Sequence, residues 1–175
     1  MAITLLLQNE SGTVDGANTY IDEAYFADYS EQRGRDLSDY DAEVIKAALV
    51  EARDFMDNRW DYVGEQSQRD QDTEFPRDNA YDKNDYVITG IPKSVKKAQA
   101  EYAYIRLLQG TPLNPTPTRD ATGARVIQYA ESVGPISESK TYASGATVQP
   151  PEYPSADSIL ERTGLIAETN RIIRG

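Results

Sequence analysis

The chain contains no cysteine and no histidine. The first absence removes disulfides and thiolate chemistry. The second removes the commonest general base and the commonest transition-metal ligand. Catalysis would have to rest on carboxylates, lysine, tyrosine or serine. Basic residues are also scarce: 18 lysines and arginines stand against 29 acids, a formal charge of −11. A surface of that sign repels phosphate and anionic lipid at long range, which speaks against ordinary nucleic-acid affinity and keeps free monomers soluble. No apolar run approaches the ~18 residues that span a membrane. The run from Ile3 to Leu7 is short and lacks a basic flank, so it is not read as a signal peptide. The expectation is a protein made in the cytosol, with no membrane partner.

What is present suits one globular domain: 175 residues, 39% apolar and 27% charged. Alternation of Ile3, Leu5 and Leu7 predicts a short strand, and Asn9 to Gly16 a turn. A first helix is predicted from Asp22, its cap, to Gln32, with Gly34 as the stop. The second helix is the clearest. Ser38 and Asp41 form a capping-box-like start, and Ile45, Ala48, Leu49, Ala52, Phe55 and Met56 repeat on one face. Residues 61–86 have no periodicity and hold eight acids against three bases, which reads as a long acidic surface loop. A third helix is opened by Pro92 and ended by Gly110, with Val95, Ala98, Tyr102, Ile105 and Leu108 facing the core. Residues 111–124 read as a proline-rich connector and 125–142 as a β-hairpin. Ser155 caps a short helix closed by Gly164. The fold class is therefore mainly α: three core helices plus a short C-terminal one, a hairpin and long loops. The domain is expected to occupy 1–164, with 165–175 as a docking tail.

No motif carries chemistry. Asp70-Gln71-Asp72-Thr73-Glu74 resembles the start of a calcium loop, but the glycine and glutamate such a loop needs at its sixth and twelfth positions are Phe75 and Tyr81. Pairs of acids at hydrolase spacing will arise by chance in so acidic a chain, and no companion motif supports them. No phosphate-cradling glycine loop occurs. Cofactor, metal and catalytic residues are all read as none.

Three features point to partners. Lys93, Lys96 and Lys97 share one helical face, which is either solvated, paired with a neighbouring subunit's acids, or in touch with phosphate. Twelve tyrosines suit protein interfaces, and would suit stacking on bases only with a basic groove. The tail carries Ile166, Ile172 and Ile173 beside Arg171 and Arg174, poor material for a free terminus.

The order of short motifs then matters. Asn18-Thr19-Tyr20-Ile21-Asp22, Ala24-Tyr25-Phe26, Arg33-Gly34, Ala47-Ala48-Leu49 with Ala52-Arg53, and Phe55-Met56-Asp57 come first. Phe75-Pro76-Arg77 (where Trp-Pro-Arg is usual), Ile91-Pro92 with Val95-Lys96 and Ala98, Val133-Gly134-Pro135-Ile136-Ser137, and Tyr153-Pro154 before Ile159-Leu160 follow. In this order, over roughly residues 10–162, the chain resembles the head–tail connector (adaptor) proteins of tailed bacteriophages, some of which are labelled DnaT-like single-stranded-DNA-binding proteins. The tail from Leu165 departs from that pattern in length. The resemblance implies a small helical bundle with a hairpin, assembled as a ring of twelve copies in the virion neck. The ring would join the portal protein to the next neck or tail component and let double-stranded DNA pass. On this reading the three lysines meet acids of the first two helices of a neighbour. The tail packs on the portal or an adjacent subunit, and its removal leaves the monomer folded. The acidic loop and the hairpin are further docking surfaces that order on assembly. Two other readings stay open: a single-stranded-DNA-binding module, and a small carboxylate hydrolase.

Overall fold

The computed structural model describes residues 2–115, 126–132, 137–142 and 151–167. The elements in chain order are α1 (Glu23–Glu31), α2 (Ala42–Arg59), β1 (Glu65–Gln66), β2 (Arg77–Asp78), α3 (Lys93–Gln109), β3 (Val126–Ser132), β4 (Ser137–Tyr142) and α4 (Pro154–Glu161). The fold is mainly helical, as expected. It divides into two compact units, Met1–Leu113 with Glu152–Gly175, and Asn114–Pro151. The second holds the hairpin, in which β3 and β4 pair antiparallel from Val126 opposite Tyr142 to Ser132 opposite Ser137. The connector from 116 to 124 and the Gly134-Pro135 break lie outside the described residues.

In the first unit α3 is central and packs on α1, α2 and α4. Its Val95, Ala98 and Tyr102 meet Leu49, Ala52 and Met56 of α2, Phe26 and Tyr29 of α1, and Ala156 and Leu160 of α4 in one buried cluster. Alanines at 48, 52, 98, 100 and 103 are all buried; residues this small let packed helices approach closely. The expected stripe on α2 is the observed core face. On α3 the stripe is shifted: Leu107 is buried, Ile105 is half-buried and Leu108 is 61% exposed. The end of that helix turns Leu107, not Leu108, toward the bundle.

Gln99 also lies on the buried face and is fully enclosed. Its amide accepts from the Tyr20 N–H at 3.0 Å and donates to the Leu49 carbonyl at 2.8 Å and to Thr19 Oγ1 at 2.7 Å. One side chain thus satisfies groups from the N-terminal segment and α2 that burial would otherwise leave unpaired.

Several local expectations change. The N-terminal strand is absent; Leu7 forms only an isolated parallel bridge with Thr19. Asp22 caps α1 as expected, accepting from the Tyr25 N–H at 2.8 Å. The capping box on α2 does not form, because Asp41 is the cap residue and makes no side-chain bond. Ser38 instead sits in a turn whose N–H is held by Asp36. Pro92 occupies the cap position of α3, one residue earlier than expected, and α4 is opened by Pro154 with Tyr153 as its cap, not Ser155. Gly110 ends α3 with φ +63°, a left-handed cap that favours glycine. Gly90 also has positive φ, and a Cβ there would collide with the Glu10 carboxylate.

The acidic segment 61–86 is built into the core of the single chain. Tyr62, Thr73, Phe75, Arg77 and Ala80 are buried, and β1 pairs antiparallel with β2. The Phe75–Pro76 bond is cis. Arg77 organises the segment: its guanidinium donates to the carbonyls of Val63 at 2.8 Å, Gly64 at 2.8 Å, Tyr62 at 3.1 Å and Glu74 at 3.2 Å. A planar fork with five donors can serve several carbonyls at once; an ammonium cannot match that geometry. Arg77→Lys should therefore lower the unfolding free energy by about 1–3 kcal/mol, measured by urea denaturation. A variant as stable as the parent would show that these bonds are not what holds the segment.

Candidate interaction surfaces

The basic side chains of the first unit are largely turned inward. Glu101, buried on α3, accepts from Tyr29 Oη at 2.8 Å and from Arg35 Nη2 at 2.9 and 3.0 Å, with Arg33 Nε 3.5 Å away. Asp157 on α4 accepts from Arg59 Nη2 at 2.9 Å, from the Tyr153 N–H at 2.9 Å, and closely from the Tyr102 hydroxyl. Glu51 accepts from Arg106 Nε at 2.6 Å and from the Leu113 N–H at 2.8 Å. Burial, followed by the bond to a carboxylate, raises the hydroxyl pKa of both Tyr29 and Tyr102. Removing one partner of such a centre would leave an uncompensated buried charge.

Asp57 is the third buried carboxylate. Tyr20 Oη donates to its two oxygens at 2.8 and 2.9 Å, the Glu74 N–H donates at 3.2 Å, and Arg53 lies 3.9 Å away. Burial outweighs these donors and pushes its pKa up to about 7. An acid whose pKa is raised on folding binds its proton more tightly when folded. Its contribution to stability is then complete below the unfolded pKa and is lost as pH rises through about 7. Wild-type stability should fall between pH 4 and pH 7 more steeply than that of Asp57→Asn. Equal slopes in urea titrations would contradict this.

The three lysines do not act as one set. Lys96 Nζ pairs with Glu10 Oε1 of its own chain at 3.2 Å, and the other Glu10 oxygen accepts the Ile91 N–H at 2.7 Å. Glu10, in the N-terminal turn, was not singled out by the sequence; Gly90, which leaves room for it, was the available signal. Lys93 and Lys97 are exposed, one turn apart, and make no ion pair among the described residues.

The tail begins inside the fold. Leu165 is 2% exposed, and Ile166 packs against the same core. The Val63 N–H donates to the Leu165 carbonyl at 2.9 Å, and the Ala167 N–H to the Asp61 carbonyl at 2.8 Å. Ile166 is half-buried and packs on the core of its own chain. Arg171, Ile172, Ile173 and Arg174 lie outside the described residues. Contrary to expectation, removal of 165–175 takes away a core residue. A chain ending at Gly164 should be less stable than one ending at Ala167 by about 2–5 kcal/mol, the range for emptying a buried leucine site. Equal urea midpoints would contradict that.

The tyrosines divide in the same way. Tyr20, Tyr29, Tyr62, Tyr102 and Tyr153 are buried. Tyr102 and Tyr153 pack edge-on with each other and with Phe55, and Tyr20 and Tyr62 pack edge-on with Phe75. Tyr81 and Tyr86 are exposed, within the acidic segment. Asp72, part of the calcium-like run, accepts the Gly16 N–H at 2.8 Å. No three histidine, cysteine, aspartate or glutamate side chains gather as a metal site among the described residues, and no described helix is long and apolar enough to cross a membrane.

A family model described as "Putative DnaT-like ssDNA binding protein" matches residues 3–175. The searches of curated proteins and of solved structures return no match.

Proposed function

The chain belongs to the DnaT-like ssDNA-binding family; from its motif order and its charge arrangement we propose that it is a structural protein of a DNA-handling assembly, a head–tail adaptor of a tailed-bacteriophage neck. One copy is a subunit of a closed homo-oligomeric ring. The ring binds the portal protein on one side and the next neck or tail component on the other, and double-stranded DNA passes through it. It carries out no reaction of its own. It is assembled in the host cytoplasm and ends in the virion.

The observation that carries this reading is where the charge goes. Arginines 33, 35, 53, 59, 77 and 106 pair with carboxylates of their own chain, in a protein of net charge −11. A body of that kind slides past phosphate without gripping it. A ring interface is head-to-tail, so acidic and basic patches of one subunit meet on its neighbours.

The family's description favours the second reading, a single-stranded-DNA-binding module, and says nothing of a phage neck. Such a module needs aromatic platforms beside a basic groove. Among the described residues the exposed aromatics Tyr81 and Tyr86 stand beside Asp82 and Asp85. Fluorescence anisotropy with a labelled oligonucleotide, read across a salt series, separates the two. The adaptor reading predicts no binding at micromolar protein and low salt. Binding that weakens with a negative log–log salt slope would overturn it in favour of the module.

A further inference from the structure

We propose that the tip at Tyr81–Val87 is a self-docking element, seated on the Lys93–Lys97 face of a second copy of the chain. The inference rests on the ring reading and names its contact.

The tip is preformed. Tyr81 bridges Val87 antiparallel, and the Asp82 N–H donates to the Tyr86 carbonyl at 2.9 Å. Asp82 Oδ1 accepts the N–H groups of Asn84 at 2.8 Å and Tyr86 at 3.1 Å, and Asp85 takes the left-handed conformation at φ +63°. The base is anchored at two points: the Ile88 N–H donates to the Ala80 carbonyl at 2.9 Å, and the Lys83 N–H to the Thr163 carbonyl at 3.0 Å. Docking such an element loses little backbone freedom.

The tip presents three large apolar side chains beside the exposed Lys83, Asn84 and Asp85. Tyr81, Tyr86 and Val87 are 52%, 71% and 63% exposed. Three large apolar side chains within seven residues form a patch, where singly scattered ones would need no explanation. Two tyrosines with a small aliphatic neighbour are the composition of an interface centre.

Charge selects the occupant. Asp82 and Asp85 flank the tyrosines with the exposed Lys83 between them, so the tip stays net acidic, which disfavours phosphate and anionic lipid as partners. The chain itself supplies the complement. Lys93 and Lys97 stand exposed on α3, without an ion-pair partner among the described residues, while Lys96 beside them is already paired with Glu10. The aliphatic stems of two lysines one turn apart also give the tyrosine rings an apolar and cationic bed.

The absence of cysteine makes the test direct. Tyr86→Cys and Lys97→Cys variants are made separately, mixed at a concentration where wild type sediments as an oligomer, and oxidised. A disulfide-linked heterodimer should form well above the level given by Tyr86→Cys mixed with a control, Glu161→Cys on α4. Asp85→Lys should weaken self-association at least about tenfold, and adding Lys97→Asp in the same chain should restore it; Asp82 is left intact because its carboxylate holds the tip. Asp85, Tyr86, Lys97 and Glu161 are exposed, and circular dichroism confirms that the variants fold. Cross-linking at the control level, or association indifferent to charge reversal, overturns the proposal. If rings still form on a portal in that case, the contact is wrong and the adaptor reading stands. If wild type stays monomeric with and without a portal, both are wrong.

Discussion

Asp157 holds three helices at one point. It belongs to α4, binds Arg59 at the end of α2, and accepts from Tyr102 in the middle of α3. Tyr102 in turn accepts from Trp60 and packs on Phe55 and Tyr153. The Tyr153 N–H closes the set on Asp157 from the start of α4. Because these groups are buried, the centre is stable only when complete: a missing arginine or tyrosine would strand a charge in the core. It therefore fixes how α2, α3 and α4 sit together, and with them the surface that α3 shows to solvent.

The same chemistry repeats at Glu101, which joins α1 to α3, and at Asp57, which joins α2 to the segment carrying Phe75. These centres have a consequence outside the core. Arginine is the residue best suited to bind phosphate bidentately, and six of the described arginines, 33, 35, 53, 59, 77 and 106, are engaged by carboxylates of their own chain. What α3 leaves outside is two lysines, Lys93 and Lys97. Stability and surface charge are thus linked, since the folding of the bundle engages these arginines in its own interior.

The helices were legible because their apolar residues recur at helical spacing. Ile45 to Met56 predicted the buried face of α2, and Asp22 its role as a cap. Two kinds of feature were not. The buried polar groups Gln99, Glu101 and Asp157 carry no local signature, because their partners, the Tyr153 N–H on Asp157 apart, lie 50 or more residues away. The segment 61–86 looked like solvated loop since it lacks periodicity. It folds because Arg77 collects carbonyls that no regular element satisfies, and a guanidinium acting across a loop leaves no spacing to read. The tail was read as too apolar to be free; its described residues, 165–167, close on Asp61–Val63 of their own chain. The Phe75-Pro76-Arg77 motif was noticed for its resemblance alone; the structure shows a buried ring and the loop's organising cation.

The central proposal is that this acidic bundle, whose arginines 33, 35, 53, 59, 77 and 106 are paired within the chain, assembles around DNA and does not bind it. Electron microscopy of the chain mixed with a portal ring from the same virion tests that most directly. The account predicts a second closed ring of density stacked on the portal, coaxial with its channel. Portal rings that remain bare at saturating chain, beside chain that instead coats single-stranded DNA in a parallel grid, would contradict it.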